Sequence, residues 1–145
     1  MKKQDDQYSF LEHRRKQEAA HHKRLGNEEF NPLNSILTVE VNTTELCNRN
    51  CVFCPRHNPE VFPNRNLHMT PNGASHIARE LGRNHYRGKI SLSGFGENLL
   101  NPKFPEIVKS FRTHLSSNIL ECNTNGDRLT SEYAKSLFDN GLSLL

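Results

Sequence analysis

From residue 35 onward the sequence alternates short apolar runs with longer segments of helical periodicity. Three pairs of a strand-like run and a helix-like segment follow one another: 36–41 and 74–81, 90–92 and 104–115, 119–120 and 133–138. Each pair takes about 35 residues, which is close to the repeat of an eight-stranded α/β barrel. Strand–helix alternation is typical of parallel strands joined by helices. The sequence therefore predicts an α/β fold with a parallel sheet.

Cap and turn residues mark the expected ends of the helices. Thr70 followed by Pro71 predicts a helix start, because Thr caps a helix N-terminus and Pro favours the first helical position. Gly82 stands where a helix end is expected. Asn101-Pro102 predicts the start of the second helix.

Residues 141–145, Gly-Leu-Ser-Leu-Leu, have the pattern of the beginning of a fourth strand. We therefore expect a partial (βα) barrel of the TIM-like type, incomplete, with about three βα units plus the start of strand 4. A fragment of a longer barrel is the expected origin of such a chain. The alternative is a complete three-layer domain whose last strand is short, as edge strands often are.

Each predicted strand alternates apolar residues with polar ones, whereas strands buried on both faces are nearly continuous apolar runs. Side chains two positions apart on a strand share a face. The polar positions are Thr38, Glu40 and Asn42, then Ser91 and Ser93, then Glu121 and Asn123. They indicate either a barrel lumen that holds a polar ligand or a sheet with one face in water.

Residues 1–30 are poor in apolar side chains and rich in helix formers, which predicts a polar, basic N-terminal helix or a disordered arm. The first residues lack the apolar core of a signal peptide, and no run of about 18 apolar residues occurs. We expect a cytoplasmic protein with no membrane partner. The net charge of +3 is too small to indicate a nucleic-acid binder.

Three of the four cysteines, Cys47, Cys51 and Cys54, lie within eight residues. Disulfides are rare in a reducing cytoplasm, so the three thiols are candidate ligands of one soft metal centre. Cys3His coordination of zinc is one possibility, with His57 as the fourth ligand. An iron–sulfur cluster with one open iron is the other, because all three thiols come from one loop directly after a strand.

The C-x3-C-x2-C spacing, with an aromatic residue before the last cysteine, resembles the signature of the radical S-adenosylmethionine (radical SAM) superfamily. Two later motifs extend the resemblance. Residues 93–97, Ser-Gly-Phe-Gly-Glu, resemble the Gly-Gly-Glu motif of the family, and residues 123–126, Asn-Thr-Asn-Gly, resemble its Thr-Asn-Gly motif. The resemblance covers residues 36–145, and the segments around the cysteines are similar to members that carry a SPASM domain. Residues 31–145 would then be the N-terminal portion of a radical SAM core domain.

The resemblance implies an enzyme that binds a [4Fe-4S] cluster and S-adenosylmethionine. It implies reductive cleavage of S-adenosylmethionine to a 5′-deoxyadenosyl radical, which acts on a small-molecule or peptide substrate that the sequence does not identify. A flavodoxin or ferredoxin is the implied electron donor. By resemblance, Cys47, Cys51 and Cys54 hold the cluster, and the residues that contact S-adenosylmethionine are Phe53, Gly94, Gly96, Glu97, Asn123 and Asn125. Of these, Glu97 would accept from the ammonium of the methionine moiety.

Several residues depart from the family pattern or lie beside it. Asn98 stands where the family commonly has proline, and as a turn residue it is expected to have a small effect. Cys122 is expected to be a buried apolar residue. Arg56 and His57 follow the cysteines, and either could face a substrate, although an exposed histidine is more often a plain surface residue.

Overall fold

The computed structural model describes residues 15–16, 19–20 and 32–145, and the chain forms two compact units, residues 1–37 and 38–145. In the first unit, residues 15–16 and 19–20 are helical and exposed, and a 3-10 helix spans Pro32–Ser35. The rest of the arm predicted over residues 1–30 lies outside the described residues.

The second unit contains three strands and three α-helices in strict alternation. In chain order they are β1 (Thr38–Val41), α1 (Pro71–Arg83), β2 (Lys89–Leu92), α2 (Phe104–His114), β3 (Leu120–Cys122) and α3 (Ser131–Asp139). The strands are parallel in the order β1-β2-β3. Over the described residues the sheet does not close. This confirms the predicted α/β class and the partial barrel.

The expected start of a fourth strand is present as a single parallel bridge between Leu144 and Glu121. The amide of Cys122 donates to the Leu144 carbonyl at 3.0 Å, and the amide of Leu144 donates to the Leu120 carbonyl at 3.1 Å. Residue 144 therefore adds to the free edge of β3, next in the order of the sheet.

Local capping explains where the helices begin. The Thr70 side chain accepts from the amide of Gly73 at 3.2 Å at the start of α1, as predicted. The prediction that Gly82 ends this helix is wrong, because α1 continues through Arg83. A Cβ atom at Gly82 would lie 2.8 Å from the His114 carbonyl oxygen, so this glycine allows α1 and the end of α2 to approach each other. The second helix begins at Phe104, two residues after the predicted Asn101-Pro102 start.

The apolar core lies between the sheet and the helices. Its fully buried side chains are Phe104, Ile107, Val108 and Phe111 of α2, Ala74 and Ala78 of α1, Ile90 and Leu92 of β2, Leu120 of β3, and Leu137 of α3. Each large apolar side chain buried in this way contributes about 1.5–3 kcal/mol to folding. No helix in the described part of the chain has the length and apolar character needed to span a bilayer.

The opposite face of the sheet is polar, as the alternation predicted. The register places Ser91 opposite Glu121. Lys89 Nζ donates to Glu121 Oε2 at 2.7 Å, and Ser91 Oγ donates to Glu121 Oε1 at 3.2 Å. Asn123 Nδ2 extends this network to Ser91 Oγ at 3.4 Å. The polar side chains thus bond to one another across β2 and β3.

Candidate functional site

The segments that follow the three strands meet at one edge of the sheet, because the carboxyl ends of parallel strands lie side by side. The amide of Ser93 donates to the Val41 carbonyl at 3.1 Å, and the amide of Asn123 donates to the Leu92 carbonyl at 3.1 Å. The cysteine loop, residues 42–54, is thereby brought beside residues 93–97 and 123–127. These three segments carry all of the residues that the resemblance assigned to the cluster and to S-adenosylmethionine.

The three cysteines of the loop are free thiols, and each is half-buried. A turn joins the last two, since the amide of Cys54 donates to the Cys51 carbonyl at 3.0 Å. A 3-10 helix, Pro55–His57, begins directly after Cys54. The thiol of Cys47 accepts from the amide of Arg49 at 3.5 Å. The loop therefore presents thiols that are partly shielded from water yet still accessible.

In the part of the chain that the structure describes, no three His, Cys, Asp or Glu side chains are close enough to bind one metal ion. The structure therefore does not confirm the zinc site considered for Cys47, Cys51, Cys54 and His57. The donor set does fit an iron–sulfur cluster, because thiolates are the usual ligands of such clusters and each thiolate binds a different iron. Ligands of a cluster do not have to converge on one ion.

Glu97 lies at the centre of the three segments and is 3% exposed. Its Oε1 accepts from Thr124 Oγ1 at 2.6 Å and from the amide of Leu99 at 3.1 Å, while its Oε2 accepts from the amide of Asn125 at 2.7 Å. The Glu97 amide donates to the Leu46 carbonyl at 2.8 Å. A buried carboxylate is costly unless it is hydrogen-bonded, and here contacts from neighbouring segments meet that requirement.

The two glycines of the motif are required by the packing of the protein itself. A Cβ atom at Gly96 would lie 1.8 Å from the Thr44 carbonyl oxygen, and one at Gly94 would lie 2.8 Å from the side chain of Asn42. Gly94 also has φ of +140°, which side-chain-bearing residues rarely adopt. Both glycines therefore allow a close approach to the segment after β1.

Asn98 has a larger role than the turn residue predicted from the sequence. It is fully buried, its Oδ1 accepts from Thr43 Oγ1 at 2.6 Å, and its Nδ2 donates to the carbonyls of Leu92 at 2.7 Å and Asn123 at 3.2 Å. One side chain therefore connects the segments at the ends of all three strands. Turn propensity could not reveal this, because it depends on distant partners.

The other predicted contact residues are more exposed. Asn123 is exposed, and Asn125 Nδ2 donates to Asn48 Oδ1 at 2.9 Å. The Phe53 side chain is 88% exposed. Of the residues after the cysteines, His57 is exposed, whereas Arg56 is only 7% exposed. Arg56 is therefore part of the support of the loop, and the substrate-facing position considered for it does not hold.

An ion pair that the sequence did not suggest joins the cysteine loop to the segment after β3. Arg49 Nε donates to Asp127 Oδ2 at 2.9 Å, and Arg49 Nη2 contacts Asp127 Oδ1 at 2.5 Å. Asn48 Nδ2 also donates to Asp127 Oδ2, at 2.9 Å. The hydrogen bonds and charge of Arg49 hold the pKa of Asp127 below its usual range. In the sequence, Asp127 resembles an ordinary turn residue after Asn-Gly, so only its partner 78 residues away distinguishes it.

Cys122 stays apart from the other thiols, as expected. It is 1% exposed in β3, and its burial raises the pKa of its thiol to about 12. Its sulfur lies 3.7 Å from Asn98 Nδ2 and 3.7 Å from the Asn123 carbonyl oxygen. Cys122 therefore behaves as a small buried side chain.

A thiol-bearing loop, a buried carboxylate and an Asn-Thr-Asn-Gly turn lie together at the carboxyl ends of three parallel strands of a partial α/β barrel. The family profile described as the Radical SAM superfamily matches residues 41–145. The chain belongs to the radical SAM superfamily, whose members are enzymes that combine an iron–sulfur cluster with S-adenosylmethionine.

A curated relative agrees with this assignment. The chain is 31% identical over 112 residues to a probable GTP 3′,8-cyclase of Methanococcus aeolicus, and the match covers 74% of this chain and 35% of the relative. The chain thus spans about a third of the length of that protein.

Two solved structures share the fold. A crystal structure of BtrN in complex with AdoMet and 2-DOIA has a TM-score of 0.68 and 24% identity, over 75% of this chain and 44% of that one. Selenomethionine BtrN in an open conformation has a TM-score of 0.62 and 24% identity, over 81% and 50% respectively. The likeness shows the α/β fold, and the chain covers half or less of each of those structures.

Proposed function

We propose that residues 31–145 form the N-terminal portion of a radical SAM core that binds a [4Fe-4S] cluster through Cys47, Cys51 and Cys54. The observation that carries the proposal is the position of Glu97. Its amide bonds to the carbonyl of Leu46, the residue before Cys47, and its carboxylate bonds to Thr124 and Asn125. The three motifs of the family thus meet around one buried carboxylate.

When bound, the cluster would supply the electron for reductive cleavage of S-adenosylmethionine to a 5′-deoxyadenosyl radical. The residues of the chain would bind and orient that cofactor and exclude water. Thiolates suit iron because both are soft. We therefore expect Cys51→Ser to prevent cluster formation, since a hydroxyl is a poor ligand for this metal.

Glu97 is proposed to bind the ammonium group of the methionine moiety. A carboxylate offers about four lone-pair positions, and the contacts from Thr124, Leu99 and Asn125 occupy three of them. One position on Oε2 stays available for a cationic donor. A charge-assisted bond of this kind contributes about 1.5–3 kcal/mol, or roughly ten- to a hundredfold in affinity.

The variant Glu97→Gln tests this role, because it keeps the size of the side chain and removes its charge. We expect S-adenosylmethionine to bind about ten- to a hundredfold more weakly by calorimetry, while the iron content stays at that of the parent. Asn58→Gln is the control, since Asn58 is exposed and its Oδ1 accepts only a local bond from the Glu60 amide. Equal affinity of Glu97→Gln and the parent would contradict the role of this residue.

The remaining motif residues are proposed to complete the S-adenosylmethionine site. The Phe53 ring would lie near the adenine, and the backbone at Gly94 and Gly96 would lie near the methionine moiety. Asn123 and Asn125 would contribute polar contacts from the carboxyl end of β3, which is where barrel ligands bind. The exposure of Phe53 is compatible with a ring that is covered when the cofactor binds.

The partners and the cellular location of the protein are also proposals. The polar sheet face, with Glu121 bonded to Lys89 and Ser91, favours a polar small-molecule or peptide substrate. We propose a flavodoxin or ferredoxin as the electron donor, a cytoplasmic location, and neither membrane nor nucleic-acid binding.

Anaerobic reconstitution followed by metal analysis tests the central proposal. We expect about four irons per chain and a brown chromophore, both lost in Cys51→Ser and both retained in His57→Ala. One colourless zinc, lost in His57→Ala, would instead support the non-catalytic zinc module. Release of 5′-deoxyadenosine by the reduced protein then tests the enzymatic activity of the chain.

A further inference from the structure

A buried arginine lies beneath the cysteine loop. Arg56 is 7% exposed, and its guanidinium carbon lies 4.9 Å from the centroid of the Phe62 ring. Its Nε donates to the Phe95 carbonyl, its Nη2 donates to the Glu45 carbonyl, and its Nη1 donates to Asn64 Oδ1 at 3.0 Å. The planar guanidinium presents its donors in a fixed fork, so one side chain sets the relative positions of three segments.

Asn64 continues this network to the first cysteine. The amide of Cys47 donates to Asn64 Oδ1 at 2.9 Å, and Asn64 Nδ2 donates to the Cys47 carbonyl at 2.9 Å. The side-chain amide of Asn64 thus bonds to both backbone groups of the residue that carries the thiol. Because Oδ1 also accepts from Arg56, the orientation of the Asn64 amide is fixed by three bonds.

The other two cysteines have local support of a different kind. Cys54 and Cys51 are joined by a turn, and the amide of His57 donates to the Cys54 carbonyl at 2.9 Å. Cys47 lies four residues before this turn and is outside it. A ligand in such a position needs an orienting partner, since the residues around a metal site set the geometry of its ligands.

We propose that Arg56 and Asn64 are positioning residues that fix Cys47, the first thiolate ligand of the cluster, relative to the segment that carries Glu97. The inference rests on the proposed function. The carbonyl of Phe95 belongs to the Gly-Phe-Gly-Glu segment, so the chain of bonds runs from that segment through Arg56 and Asn64 to the backbone of Cys47. Arg56 also carries a buried positive charge two residues after Cys54, and a positive charge near a bound cluster would favour its more reduced and more negative form.

The asparagine variants test the positioning role in the full chain after anaerobic reconstitution. Asn64→Leu removes both bonds to Cys47, and we expect release of iron to a chelator to become about five- to thirtyfold faster. Asn64→Asp keeps an acceptor for the Cys47 amide, loses the donor and adds a negative charge, and we expect a more negative midpoint potential. Asn58→Leu and Asn58→Asp are the matched controls in the same segment, with expected changes that are clearly smaller.

The arginine variants separate charge from geometry. Arg56→Lys keeps the charge and loses the fork, so iron release should accelerate while the midpoint potential stays close to that of the parent. Arg56→Met removes both, and the potential should also become more negative. If Arg56→Met does not fold, Arg56→Lys and the two Asn64 variants still test the proposal. A thermal unfolding midpoint of the apoprotein equal to that of the parent would show that a change does not arise from general instability.

The outcomes distinguish two kinds of failure. Asn64 variants whose release rates and potentials match those of the parent or of the Asn58 controls would overturn the positioning role. A parent chain that takes up no iron–sulfur cluster would instead overturn the proposed function on which this role rests. Faster iron release and a shifted midpoint potential in the Asn64 variants, without such changes in the Asn58 controls, would support the inference.

Discussion

Asn98 offers the sharpest test of how the site is held together. The side chain is fully buried and connects the ends of the strands: Thr43 lies after β1, Leu92 ends β2, and Asn123 follows β3. Replacement by alanine removes all three hydrogen bonds without adding volume. We expect Asn98→Ala to lower the free energy of unfolding substantially.

The size of the effect follows from the partners that are left behind. The Thr43 hydroxyl loses its acceptor in a fully buried position, whereas the Leu92 carbonyl keeps the Asn123 amide as a donor at 3.1 Å. A hydrogen bond contributes about 1 kcal/mol net, and a buried group left unsatisfied costs about 1–3 kcal/mol. The expected loss is about 3–5 kcal/mol, a large part of the stability of a domain of this size.

Equilibrium unfolding in urea measures the effect, with the transition midpoint lowered and its slope unchanged. The control is Asn58→Ala, at an exposed asparagine whose side chain accepts only from the Glu60 amide, with an expected cost below about 0.5 kcal/mol. In the double variant Thr43→Val/Asn98→Ala, the two costs should be non-additive by about 0.5–3 kcal/mol. A cost below about 1 kcal/mol for Asn98→Ala, or strict additivity, would refute the reasoning.

Three further predictions concern stability and reactivity. Gly96→Ala should prevent stable folding, because the new Cβ atom would lie 1.8 Å from the Thr44 carbonyl oxygen. Gly126→Ala is the control in a melting experiment: Gly126 lies in open space with φ of +78°, and the substitution should cost only about 1–2 kcal/mol. Arg112→Lys should cost about 2–4 kcal/mol in urea unfolding, because Arg112 bonds to several loop carbonyls through its fork. In iodoacetamide labelling of the apoprotein at pH 8, the three loop thiols should react first. Cys122 should react only after unfolding, because a thiol with a pKa of about 12 forms almost no thiolate at this pH.

Much of the fold could be predicted because its signals are local. The apolar periodicity of α1, α2 and α3 and the cap at Thr70 depend on residues within one or two turns. The exception is Gly82, which resembles a helix end in sequence but lies within α1. Its function is to accommodate the His114 carbonyl of another helix, and no pattern within α1 contains that information.

The sequence predicted which motifs meet at the site but not the residues that support them. Motifs that follow successive parallel strands must meet at one edge of the sheet, and the cysteine loop, Glu97 and Asn125 do so. The supporting residues were not predictable, because Asn64 and Asn98 resemble ordinary loop asparagines. Their roles depend on partners 17 residues away for Asn64 and 55 residues away for Asn98, and such pairings exist only in the folded chain.

The order in which this site can form follows from the same bonds. Glu97 is in its observed environment only when the segment after β1 supplies the Leu46 carbonyl and the segment after β3 supplies Thr124 and Asn125. A carboxylate buried before those partners arrive would be unsatisfied and costly. The parallel sheet must therefore be paired before the carboxylate is buried, and the cysteine loop becomes ordered together with it because Leu46 directly precedes Cys47. Burial of Glu97 and placement of the first thiol for this reason both depend on the sheet pairing that precedes them.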